Sequence, residues 1–147
     1  MKSLILHQEE VNTLSETGTV TVIRPVKPQP GDGCNLVEYQ PESKTPWWIT
    51  SDPGHFSLYE YSCPFGHPGE VRFVKETWHW HQTDLTGGHV CFKDGNGCPV
   101  LSSSTWRSSS TMPQWASRFN VECVSVEVVK QLCADIWDWK IKYKKVG

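Results

Sequence analysis

The spacing of apolar and polar positions opens with a short helix. Over Gln8–Glu16 the acids come early, Val11 and Leu14 stand three apart, and Gly18 falls where a left-handed glycine closes a helix. Thr19–Arg24 then changes period to a β-branched run ended by Pro25 and Pro28, a strand suited to a sheet edge because proline removes a ladder donor. From Gln29 to Pro53 the chain is rich in Pro, Gly, Ser and Asp, with Leu36–Tyr39 strand-like and Trp47-Trp48 an aromatic island. Residues 31–62 therefore read as a loop-rich insertion, within which Phe56–Tyr61 alternates as a strand.

After the turn residues Cys63-Pro64-Phe65-Gly66-His67-Pro68-Gly69, Glu70–Trp80 predicts one long strand, and His89–Lys93 its hairpin partner. Ser102–Ser110 reads as a polar loop anchored by Trp106-Arg107. Arg118–Val128 alternates as a long half-buried strand, and Lys130–Trp139 reads as a short closing helix. Strands separated by turns, with helices only near the ends, predict an α+β, mainly β fold: a small β-barrel flanked by short helices.

Composition narrows the picture. A chain of 147 residues with 37% hydrophobic and 20% charged positions can bury one core, so a single domain over 1–147 is expected. Net charge is −2, which gives no overall field for condensing onto long nucleic acid and favours a small ligand. Lys140, Lys142, Lys144 and Lys145 make a basic tail over 140–147, read as a solvated, frayed terminus. The apolar run near Met1 is too short for a signal peptide, and no stretch reaches the roughly 18 apolar residues of a membrane helix. A soluble cytoplasmic protein with no membrane partner is expected, its six cysteines reduced.

Three segments, in order, resemble bacteriophage-type proteins of the ASCH family in the PUA-like superfamily. They are Val22-Ile23-Arg24-Pro25-Val26-Lys27-Pro28-Gln29-Pro30; the Cys63–Gly69 turn leading to Val74-Lys75-Glu76-Thr77-Trp78; and Met112-Pro113-Gln114-Trp115-Ala116-Ser117-Arg118. The resemblance spans roughly half the chain, and the last string is its most specific piece. It implies a PUA-like barrel with a cleft beside its helices, phage-encoded and working in the host cytoplasm. It also implies binding of RNA or a modified nucleotide or nucleoside; some members deacetylate N4-acetylcytidine or cut RNA. Those that deacetylate use a lysine, a threonine and the glutamate matching Glu76. Aligned from Gly18, the first two positions hold Val20 and Ile23; aligned back from the prolines, Thr19 and Val22. Neither alignment supplies the lysine, so a binder is expected rather than an enzyme, with Glu76 the one catalytic candidate.

Within that reading Glu76 accepts hydrogen bonds from an exocyclic base amine or pairs structurally with Arg24 or Arg118, and the two arginines hold phosphates. Trp78, Trp106 and Trp115 are candidate stacking platforms, with core packing the favoured reading of Trp115, and Ser117 joins Arg118 in the binding string. His79, His81, His89 and Cys91 form two pairs at strand period, a set that would suit zinc but lacks the Cys-x-x-Cys spacing of convincing sites. No metal and no cofactor is assigned. Two alternatives stand beside the binder: a hydrolase acting on N4-acetylcytidine or RNA, and a module docking on a host protein through the Trp47-Trp48 loop or the basic tail.

Overall fold

The helix α1 forms where the period places it. In the computed structural model, which describes residues 1–27, 29, 34–39, 47–51, 58–93, 106–131 and 136–147, α1 spans Gln8–Thr17. The His7 amide donates to Glu10 Oε1 at 2.8 Å at its start, and Gly18, at φ 79°, ends it by donating to Leu14 O at 2.8 Å. Val11 and Leu14 are fully buried, because positions three apart share one helix face.

Strands follow in chain order: β1 (Ser3–Ile5), β2 (Thr19–Pro25), β3 (Cys34–Tyr39), β4 (Trp47–Ser51), β5 (Leu58–Tyr61), β6 (Val71–Lys75), β7 (Trp78–Gln82), β8 (Gly88–Phe92), β9 (Asn120–Lys130) and β10 (Trp137–Val146). Single 3-10 turns lie at Ser109–Thr111 and Gln114–Ala116. They assemble into a five-stranded sheet ordered β1-β6-β9-β10-β2, a three-stranded sheet β3-β4-β5 and the hairpin β7-β8. The five-stranded sheet ends in β1 on one side and β2 on the other, so among the described residues it is open and the expected barrel is not formed. A barrel requires its first and last strands to pair; the fold is mixed α+β. β2 lies at an edge, as its prolines suggested.

Two compact units can be described. One comprises Met1–Val20, Gly69–Glu122 and Tyr143–Gly147; the other, Thr21–Pro68 and Cys123–Lys142. In the first, Leu4, Leu6, Phe73, Val74, Val121 and Tyr143 are buried with the apolar face of α1. In the second, Val22, Val26, Trp137, Trp139 and Ile141 are buried. There Gln29 acts as a strand substitute: its Nε2 donates to Val26 O at 2.6 Å and Trp137 O at 2.8 Å, and its Oε1 accepts from the Trp137 amide at 2.8 Å.

Several expectations need correction. The loop-rich span holds one strand not expected, β4, which pairs with the two that were, β3 and β5, through Tyr39↔Trp47 and Trp47↔Tyr61, with a register shift between Cys34 and Leu36. The long strand expected over Glu70–Trp80 breaks at Glu76-Thr77 into β6 and β7. Where a closing helix and a frayed tail were expected, Lys130 ends β9, residues 132–135 lie outside what is described, and β10 runs from Trp137, with Trp139, Ile141 and Tyr143 buried and Lys140, Lys142 and Lys144 exposed. That is the period of a strand, not a helix. Lys144 reaches Glu122 at 2.8 Å, and the strand lies between β9 and β2 in the sheet. Among the described residues no helix is long and apolar enough to cross a membrane. Cys91 lies in a disulfide, which corrects the expectation of six reduced thiols, whereas Cys63 and Cys123 carry thiols. The Trp47-Trp48 side chains proposed for host-protein docking lie outside what is described.

Candidate functional site

The Met112–Arg118 string forms a clamp in the first unit. Pro113 opens a 3-10 turn over Gln114–Ala116, which sends Met112 and Ala116 inward onto Trp78. All three are buried, and Trp80, Val90 and Phe92 of the hairpin pack on the same cluster. Past the turn, Ser117 Oγ lies 2.7 Å from Val74 O and 3.1 Å from Phe119 O, while the Val74 amide donates to Phe119 O at 2.9 Å. Arg118 finishes the clamp: its Nε and Nη2 donate to the two oxygens of Glu76 at 3.0 and 2.8 Å.

This fork is a buried ion pair. Glu76 is 1% exposed, and the break between β6 and β7 turns it inward to meet Arg118. The guanidinium lies over the rings of Phe92 at 4.1 Å and Phe119 at 4.7 Å, which supply the apolar, polarisable surroundings that a planar cation tolerates. Of the expected site residues, the structure thus unites Glu76, Arg118 and Ser117, and spends their hydrogen bonds inside the protein. Arg24 belongs to the other unit, where its Nη1 donates to Ile23 O at 3.0 Å.

The tryptophans exchange roles. Trp78 is 4% exposed, its Nε1 donating to Thr111 Oγ1 at 3.2 Å, so it is a core residue rather than a platform. Trp106 is half-buried, edge-on to His79 at 6.4 Å between ring centroids. Trp115, expected in the core, is 68% exposed. Its ring meets Trp78 at 6.2 Å and Trp80 at 5.8 Å, both edge contacts with interplanar angles of 89° and 82°. Neighbouring rings therefore brace the indole of Trp115 while most of its surface stays in solvent. Arg107 joins the patch: it exchanges backbone hydrogen bonds with Trp78, and its guanidinium lies over the Trp78 ring at 5.0 Å while the residue remains exposed.

The hairpin that braces Trp115 is stiffened at its tip. Asp84 Oδ1 accepts from Thr86 Oγ1 at 2.6 Å, the Thr86 amide at 2.7 Å and the Gly87 amide at 3.1 Å, and Gln82 bridges Trp80 Nε1 to Asp84 O. These bonds, the Thr86 hydroxyl foremost, favour the charged carboxylate and hold its pKa below the ordinary 3.8. A carboxylate with a depressed folded pKa contributes stability that is fully present above the unfolded value and is lost as pH falls through the folded one. In an NMR titration the Thr86 and Gly87 amide signals should follow the Asp84 carboxylate with a midpoint below the ordinary 3.8. A midpoint at or above the ordinary carboxylate value would refute the tip bonding described here.

His79 and His81 face Cys91 and His89 across the hairpin, the register that their spacing suggested. The Cys91 sulfur is committed to its disulfide, and among the described residues no group of three or more His, Cys, Asp or Glu side chains converges on a metal position. His79 Nδ1 is buried and finds no hydrogen-bond partner among the described residues, a penalty of about 1–3 kcal/mol unless it is met by a bound molecule.

Comparison with protein families, curated proteins and solved structures finds no match to this chain. The resemblance to ASCH proteins therefore gains no support from a matching family, and the open sheets remove the barrel on which its cleft depended. Nothing in the comparisons bears on RNA binding or phage origin.

Proposed function

We propose that this protein binds a nucleobase, carried by single-stranded RNA or by a nucleotide, and stacks it on the indole of Trp115. The observation that carries the reading is that Trp115 is 68% exposed yet braced edge-on by two other tryptophans. A large aromatic left in water forgoes the ~1.5–3 kcal/mol that burial of such a side chain provides. A braced ring regains that loss when a base covers it, since base–aromatic stacking contributes ~1–3 kcal/mol per base.

Arg107, exposed beside Trp78, supplies the cation that a phosphate on the same ligand would meet. The net charge of −2 fits a short ligand held by stacking and one or two charged contacts, rather than a long duplex held by field strength. Glu76 and Arg118 act in this reading as the clamp that positions the turn, not as readers of the base.

Titration of the protein with mononucleotides, short single-stranded RNAs and a duplex of the same sequence, followed by tryptophan fluorescence, tests the proposal. Single strands or nucleotides should quench saturably and the duplex should not. Silence toward all of them would end the reading, and binding of an apolar peptide in their place would make Trp115 a protein-docking residue.

A further inference from the structure

We propose that the ligand stacked on Trp115 carries two phosphate groups, one held by Arg107 and the other by Lys75, with the hydroxyls of Ser108 and Ser110 between them. This rests on the base-stacking reading and names what the ligand must present besides its base. The second cation comes from β6. Lys75 is half-buried at the end of that strand, and its ammonium donates to Ser110 O at 3.2 Å. An ammonium has three N–H donors, so two are left over. Arg107, three residues before Ser110, is exposed with its guanidinium over the Trp78 ring. Among the described residues neither cation is paired with a carboxylate.

The hydroxyls add to the donor set. Ser108 Oγ and Ser110 Oγ are 3.0 Å apart and both residues are exposed. One hydroxyl hydrogen serves the bond within the pair, and the other is left to donate outward. Two cations and a hydroxyl, with no carboxylate among them, match the oxygens of phosphate groups. The segment is also tied to the stacking platform. Thr111 Oγ1 accepts from Trp78 Nε1 at 3.2 Å and donates to Ser108 O at 2.6 Å, and the backbone of Arg107 is held by hydrogen bonds of 2.8 and 3.3 Å with Trp78. Trp78, whose ring braces Trp115, therefore supports the phosphate donors as well. Three residues of chain span at most about 11 Å, so Arg107 and Ser110 serve neighbouring phosphates of one ligand. Such a ligand is a nucleoside diphosphate or a single strand with successive phosphodiesters.

Calorimetric titration of the full-length protein with the nucleoside, 5′-monophosphate and 5′-diphosphate of each RNA base, and with short single-stranded RNA, tests the proposal. The diphosphate or the strand should bind about two- to fivefold tighter than the monophosphate, the range of an exposed ion pair, and whichever gains more identifies the source of the second phosphate. Lys75→Gln should bring the tighter ligand back to the monophosphate level, and Lys75→Arg should restore it. If the strand is that ligand, its affinity should fall about sevenfold from 50 to 200 mM salt, the slope of two neutralised phosphates, and about threefold in Lys75→Gln. A diphosphate and a strand no tighter than the monophosphate, or a Lys75→Gln variant that binds both as the native chain does, would overturn the proposal and leave stacking on Trp115 standing. Failure of every nucleoside, nucleotide and strand to bind would remove both.

Discussion

Glu76→Ala is expected to destabilise the protein by about 3 kcal/mol, the low end of the 3–5 kcal/mol seen when one partner of a buried pair is removed. The low end applies because the Arg118 side chain retains 16% exposure and so keeps some solvation when its partner is lost. Without Glu76 the guanidinium remains over Phe92 and Phe119 and loses the two bonds it makes to that carboxylate. The turn that carries Trp115 loses one side of its clamp. Glu76→Gln should recover part of the loss, since an amide oxygen still accepts one of those bonds. Denaturant midpoints measure both, and a change under about 0.5 kcal/mol for the alanine variant would show that the pair does not hold the fold. The pair of variants also separates two roles. If Glu76→Gln stays folded and binds nucleotide like the native chain, the carboxylate is structural; if it stays folded and loses binding, Glu76 reads the base.

The second large effect is on binding. Trp115→Ala should weaken nucleotide or single-strand affinity by about 5- to 150-fold, which is the ~1–3 kcal/mol of one stacked base. Stability should fall by no more than about 1 kcal/mol, because the residue is mostly solvent-exposed and its edge contacts with Trp78 and Trp80 are all that is lost. Trp115→Phe should keep part of the affinity, since a smaller π-face remains. Equal losses in the alanine and phenylalanine variants would point to indole N–H chemistry rather than stacking.

How far these features could be read in the chain varies from residue to residue. α1 and its Gly18 cap were legible because helix period and capping are local, and the β7-β8 register was legible because a hairpin is local too. The openness of the sheet was not, because closure depends on which distant strands pair, and no short-range pattern reports that β1 lies parallel to β6. The strand β10 was missed although its alternation from Trp139 to Lys144 is plain, since the lysines drew attention as charge rather than as the outward half of a period of two.

At the candidate site, chemistry was identified more accurately than role. Glu76 and Arg118 do meet, one of the two pairings the sequence left open for Glu76, and the carboxylate of that pair is buried. For Trp115 core packing was favoured over stacking because large apolar residues usually are buried. What places it outside is the 3-10 turn after Pro113, which sends Ala116 inward beside Met112 and leaves Gln114 and Trp115 facing water. Proline followed by a turn with small Ala116 on its inner side was the available signal. Arg107 gave less warning, since its place beside Trp78 comes from an isolated bridge between segments nearly thirty residues apart.

The most direct measurement is an NMR titration that resolves the indole N–H of each tryptophan while a short single-stranded RNA or a nucleotide is added. The account predicts that the Trp115 signal undergoes the largest shift, with intermolecular contacts between its ring and a base, and that Arg107 moves with it. Shifts that leave Trp115 still and collect on other residues would contradict it.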